Sequence, residues 1–125
     1  MTDFNFAPLL SLMEQWKSTH KNRGWKNFIS DGAVDPTIYG KSSPRLCFFL
    51  KEAYTKGIDT DWSLTEWLAS GAMTRMWGIV AEWTYGIRNT TPEYIPHKPQ
   101  LNRSEKAELL RTVSIVNVKK KQWEC

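Results

Sequence analysis

Arg45-Leu46-Cys47-Phe48-Phe49-Leu50 and Val113-Ser114-Ile115-Val116-Asn117-Val118 are the two stretches whose reading decides the fold. The first is a short, continuous apolar run bounded by Pro44 and by Lys51-Glu52, which fits a strand buried on both faces. On that reading Cys47 is a small buried hydrophobe. The second is rich in β-branched residues and also reads as a strand. The residues between them carry helical periodicity. Two strands joined by a long helical crossover pair in parallel through a right-handed connection. The expectation is therefore an α/β chain, helix-rich, with a small parallel sheet flanked by helices, forming one domain over 1–125.

Working outward, Pro8 suits a first helical turn, and Leu9, Leu12, Met13 and Trp16 follow at helical spacing, so a helix is expected over 7–20. Gly32, Asp35-Pro36, Gly40 and Ser42-Ser43-Pro44 are turn chemistry, with room for one helical turn at Pro36–Tyr39. Ser63-Leu64-Thr65-Glu66 has capping-box spacing and opens helices over 63–86, broken near Ser70-Gly71 and ended by Gly86. Met73, Met76, Trp77, Val80, Trp83 and Thr84 make one apolar face there. Pro92, Pro96 and Pro99 keep 87–101 irregular. Asn102 or Ser104 caps a short helix over 103–111, and the strand over 113–118 follows.

The 125 residues suit one domain, and 41% hydrophobic against 24% charged residues can bury a core. Seventeen Lys and Arg against thirteen Asp and Glu give a net charge of +4, a mild bias compatible with phosphate or carboxylate partners. Cys47 and Cys125 form no disulfide framework, and no Cys/His cluster suggests zinc. There is no signal-peptide pattern at the N-terminus and no run of the roughly 20 apolar residues that span a membrane. The expectation is a cytoplasmic chain without cofactor, metal or membrane contact.

Arg45-Leu46-Cys47-Phe48-Phe49-Leu50-Lys51-Glu52-Ala53 resembles the first strand and following loop of the uracil-DNA glycosylase superfamily. Val113-Ser114-Ile115-Val116-Asn117-Val118-Lys119-Lys120 resembles that superfamily's second strand, and the helices between match in order. The resemblance covers residues 45–120. It implies a parallel sheet flanked by helices, with Glu52 at the acidic position of a loop that positions the hydrolytic water; Tyr54 stands where the family has Pro. The family's later strands and its His-containing loop would follow Lys121. Extruding a base requires a closed pocket that stacks it and reads its edge, and half a sheet closes none. No turnover is expected on uracil-containing DNA.

Two clusters of basic and aromatic residues carry the functional reading. Lys17, Lys21, Arg23, Trp25 and Lys26 interleave cations with an indole, as phosphate neutralisation and base stacking require. Lys119, Lys120, Lys121 and Trp123 repeat the combination at the end of the chain. Trp16, Trp77 and Trp83 fall on apolar helical stripes and read as core. Glu52 is the one catalytic candidate, because α/β proteins place ligand contacts at the carboxyl ends of strands. His20 and His97 have no visible nucleophile beside them. The expected function is non-catalytic binding of nucleic acid, RNA included, or of a nucleoprotein; a phage or mobile-element inhibitor of bacterial defence, such as an anti-CRISPR protein, is one such identity. Two alternatives are a glycosylase-like hydrolase acting through Glu52, and an oligomerising subunit that dimerises through its sheet edge.

Overall fold

Ser114 to Lys119 form the strand around which the chain is built. The computed structural model describes residues 7–24, 28–52, 61–96 and 100–120, without the side chains of Glu52 and Lys119. In chain order the elements are α1 (Ala7–Asn22), β1 (Ile29–Ser30), β2 (Gly32–Ala33), α2 (Pro36–Lys41), β3 (Cys47–Glu52), β4 (Trp62–Ser63), α3 (Leu64–Ala69), α4 (Arg75–Asn89), α5 (Arg103–Leu110) and β5 (Ser114–Lys119). β3 and β5 pair in parallel, Cys47 opposite Ser114 and Glu52 opposite Lys119. The chain is thus a helix-rich α/β fold, and the two apolar runs pair in parallel as their helical connection requires.

β2 adds to the other edge of β5, antiparallel, giving the order β2-β5-β3. β1 pairs in parallel with β4 as a separate two-stranded ribbon. The periodicity of the sequence gives no sign of these three strands, each only two residues long. Gly32 makes the step from β1 to β2: its φ of +120° lies where a side chain is strained, and it leaves Asp31 at the turn.

The helices start and stop largely where capping chemistry places them. Asp35 accepts from the Thr37 and Ile38 amides and caps α2, with Pro36 in its first turn. Ser63 accepts from the Glu66 amide at 3.1 Å. Asn102 and Glu105 form a full reciprocal box, with bonds of 2.8 and 3.2 Å. α3 ends at Gly71, where φ is +90°. Gly86 does not end α4. The helix runs on to Asn89, and only Thr90-Thr91-Pro92 stops it, because glycine inside a helix weakens it by roughly 1 kcal/mol without breaking it.

Ile29, Val34, Leu64, Leu68, Trp77, Val80, Ala81, Leu110, Val113 and Ile115 form the core, with Phe48 and Leu50 packed against it. Arg88 closes one end, donating to the carbonyls of Pro44 at 3.3 Å and Thr112 at 3.1 Å and to the Thr112 hydroxyl. Three apolar expectations are corrected here. β3 is not buried on both faces: Phe48 and Leu50 turn inward, whereas Cys47 is exposed and Phe49 is 73% exposed. A two-sided burial needs helices on both faces of the sheet, and the helices over 64–110 cover one. Trp83 is not core either; α4 buries Trp77, Val80, Ala81 and Thr84, and Trp83 lies off that arc. On α1 the inward line is Leu9, Met13, Trp16 and His20, leaving Leu12 exposed.

Candidate nucleic-acid interface

The carboxyl ends of β3 and β5 are where an α/β sheet would present chemistry. Here Lys51 and Val118 are exposed, but the polar groups gathered beside β5 are turned inward. Asp31 Oδ2 accepts from the Asn117 amide at 2.6 Å, from Asn117 Nδ2 at 3.1 Å and from Lys120 Nζ at 2.7 Å. Lys120 also donates to the Asn117 carbonyl, and its ammonium sits 4.2 Å from the centre of the Trp16 ring. All of Asp31, Asn117 and Lys120 are buried. Burial pushes the Lys120 ammonium below the usual lysine range, and Asp31 pulls it part of the way back. His20, also buried, packs edge-on to Phe28 at 5.3 Å.

Lys120 therefore does not belong to an exposed basic tail, as the run Lys119-Lys120-Lys121 suggests. Its position after β5 directs it inward against the Trp16 ring, where Asp31 meets it. Lys17 is also engaged, 3.7 Å from Asp61, whose other oxygen accepts from the Phe28 amide at 2.8 Å. Lys21 and Arg23 are exposed at the end of α1. Glu52 lies opposite Lys119 at the end of β3. Trp25, Lys26, His97, Lys121 and Trp123 lie outside the described residues, as do the side chains of Glu52 and Lys119.

A different cationic site forms where α4 and α5 pack together. Met73, Thr74, Arg75, Gly78, Ile79, Glu82, Arg103 and Lys106 line a cavity of about 410 Å³. Each helix contributes the arginine that begins it. The first turn of α4 holds no acid, and no side chain caps its amides. Gly78 leaves room for the Lys106 stem: a Cβ there would lie 3.5 Å from Nζ. Lys106 is held by Glu82 at 3.6 Å. Arg75 and Arg103 are exposed and pair with no described acid. On the other flank of α5, Glu105 and Glu108 line a second cavity of about 340 Å³ with Tyr85, Leu101, Leu109 and Thr112. The two flanks of α5 thus carry opposite charge.

Beside the cationic cavity, α4 exposes a line of large apolar side chains. Met76, Ile79, Trp83 and Ile87 are 49%, 37%, 57% and 50% exposed. Their spacing keeps them on one strip of the helix. Arg75, Arg103 and Lys106 do not stand out as a cluster in the sequence, because Arg75 belongs to α4 and the other two to α5, and only the packing of α4 on α5 brings them together.

Among the described residues no group of three His, Cys, Asp or Glu side chains could hold a metal ion, and no helix is long and apolar enough to cross a membrane. The chain matches no protein-family model, no curated protein and no solved structure.

Proposed function

We propose that this chain is a nucleic-acid-binding protein that acts by holding its partner, with the α4–α5 cavity as the phosphate-binding part of its surface. The observation that carries this is the convergence of Arg75, Arg103 and Lys106 on one cavity in which Glu82 is the one acid. Guanidinium groups present a planar fork that matches phosphate oxygens, and two that lack an acidic partner are free to do so. Binding is favoured over turnover because Asp31 and Lys120, beside the carboxyl end of β5, are spent on each other inside the core, which leaves Lys51 as the exposed titratable side chain described at that end of the sheet.

The test is the salt dependence of binding to a labelled oligonucleotide, followed by fluorescence anisotropy. Each phosphate contact on a single strand contributes about 0.7 to the slope of log K against log salt. Arg75→Ala combined with Arg103→Ala should flatten that slope by about 1.4 while leaving the melting of the fold unchanged. An unaltered slope removes the cavity from the interface. Binding only to a ribonucleoprotein, and to no free oligonucleotide, would transfer the reading to a nucleoprotein target.

A further inference from the structure

We infer that the nucleic acid held at this surface is single-stranded, its bases lying on the exposed apolar line of α4 with Trp83 as their stacking partner. The inference rests on the nucleic-acid reading above and names the form of the ligand. Successive residues of a helix stand about 100° apart, so Arg75 falls on one flank of the line Met76–Ile79–Trp83–Ile87, facing the side where Arg103 and Lys106 enter the cavity. An apolar strip and a cationic strip therefore run side by side. A single strand has the same division: a charged backbone along one side and unpaired base faces along the other. A duplex hides its base faces and offers phosphates and groove edges, so it gives the four exposed apolar side chains no base face to stack on. From Met76 to Ile87 the line is about 16 Å long at 1.5 Å per residue, enough for a short run of bases.

Charge complementarity argues against a second copy as the occupant. In a two-fold antiparallel pairing of α4 with α4, equivalent flanks of both helices face the same way. Arg75 and Arg103 of each copy would then share one side of the seam with no acid added except Glu82, which Lys106 already holds. A polyanion neutralises that flank; a second copy adds to it.

The experiment compares three labelled probes with equal numbers of phosphates: an oligothymidylate, an oligomer of abasic sites, and a duplex. Wild-type protein should bind the oligothymidylate tightest. Trp83→Ala should weaken oligothymidylate binding by about 5- to 150-fold, the range of one base–aromatic stack, and change the other two probes by no more than about twofold. Trp83→Phe should restore most of the loss, and thermal melting should confirm that both variants fold. Equal losses on all three probes, or no loss on any, overturn the single-strand inference. So does sedimentation showing that the wild type is a dimer which Trp83→Ala dissociates. If Arg75→Ala with Arg103→Ala weakens every probe while Trp83→Ala weakens none, the phosphate site stands and this inference fails. If wild-type protein binds no probe, both fail.

Discussion

Lys120 and Arg75 carry the same charge and lead opposite lives. Lys120 lies in a run of three lysines, yet it is buried, 2.7 Å from Asp31 and over the Trp16 ring. Arg75 stands alone in an apolar segment, yet it is exposed beside Arg103 at the mouth of a cavity. The contrast shows that a charge cluster in sequence is not a charge cluster in space. What decides is which element a residue ends and what packs there. Lys120 follows the central strand, and its backbone carbonyl accepts from the Ile29 amide at 2.9 Å, tying it into the fold. Arg75 begins a helix, where the chain emerges from the core.

The contrast breaks most visibly at the buried pair. Lys120→Met should destabilise the fold by about 3–5 kcal/mol in urea unfolding, because it leaves the Asp31 carboxylate buried and unpaired. Adding Asp31→Asn should recover most of that loss, since a neutral pair avoids the desolvation cost of both ions. If the single variant is as stable as wild type, Lys120 is not locked in the core and returns to the binding surface.

A change of pH sharpens the same point with the sign fixed in advance. Burial holds the folded Lys120 pKa below its unfolded value, so between the two the unfolded chain binds more protons. This group's unfavourable contribution, fully present below the folded pKa, should fade as pH rises through the window up to the ordinary lysine value. Stability of wild type relative to the double variant should therefore rise with pH there, up to the alkaline limit of reversible unfolding. A relative fall would mean that the Asp31 attraction outweighs burial.

On the cationic side, smaller effects are expected. Asn102→Ala removes the cap of α5, the helix that carries Arg103 and Lys106 to the cavity. It should cost about 1 kcal/mol of stability and weaken oligonucleotide binding with it. Lys17→Ala breaks only a partly exposed pair with Asp61 and should change stability by less than about 1 kcal/mol. A larger loss of binding from Lys17→Ala than from Arg75→Ala would move the interface back to α1.

The two strands of the parallel pair are legible, with bounds shifted from 45–50 to Cys47–Glu52 and from 113–118 to Ser114–Lys119, because an apolar run between turn residues and a β-branched run are both strong local signals. So are the turn at Asp35-Pro36 and the cap at Ser63, although Glu66 does not complete the reciprocal box there; for α5 the sequence offers Asn102 or Ser104, and Asn102 is the cap. β1, β2 and β4 are not legible, because two-residue strands exist only through their partners. Trp83 reads as core in the sequence because α4 is apolar over more than its buried arc, and periodicity cannot say which apolar strip faces inward. The role of Asp31 is not legible, because nothing in Ser30-Asp31-Gly32 foretells a buried lysine 89 residues away. The α4–α5 cavity is illegible for the same reason: Arg75 and Arg103 become neighbours only through helix packing.

The most direct test of this division of labour is the salt slope of oligothymidylate binding in wild type, in Arg75→Ala with Arg103→Ala, and in Lys21→Ala. The account predicts a slope flatter by about 1.4 in the double variant, two phosphate contacts on a single strand, and one within about 0.7, a single contact, in Lys21→Ala. A double variant with the wild-type slope, beside a Lys21→Ala variant that loses binding, would contradict it and place the interface on the end of α1.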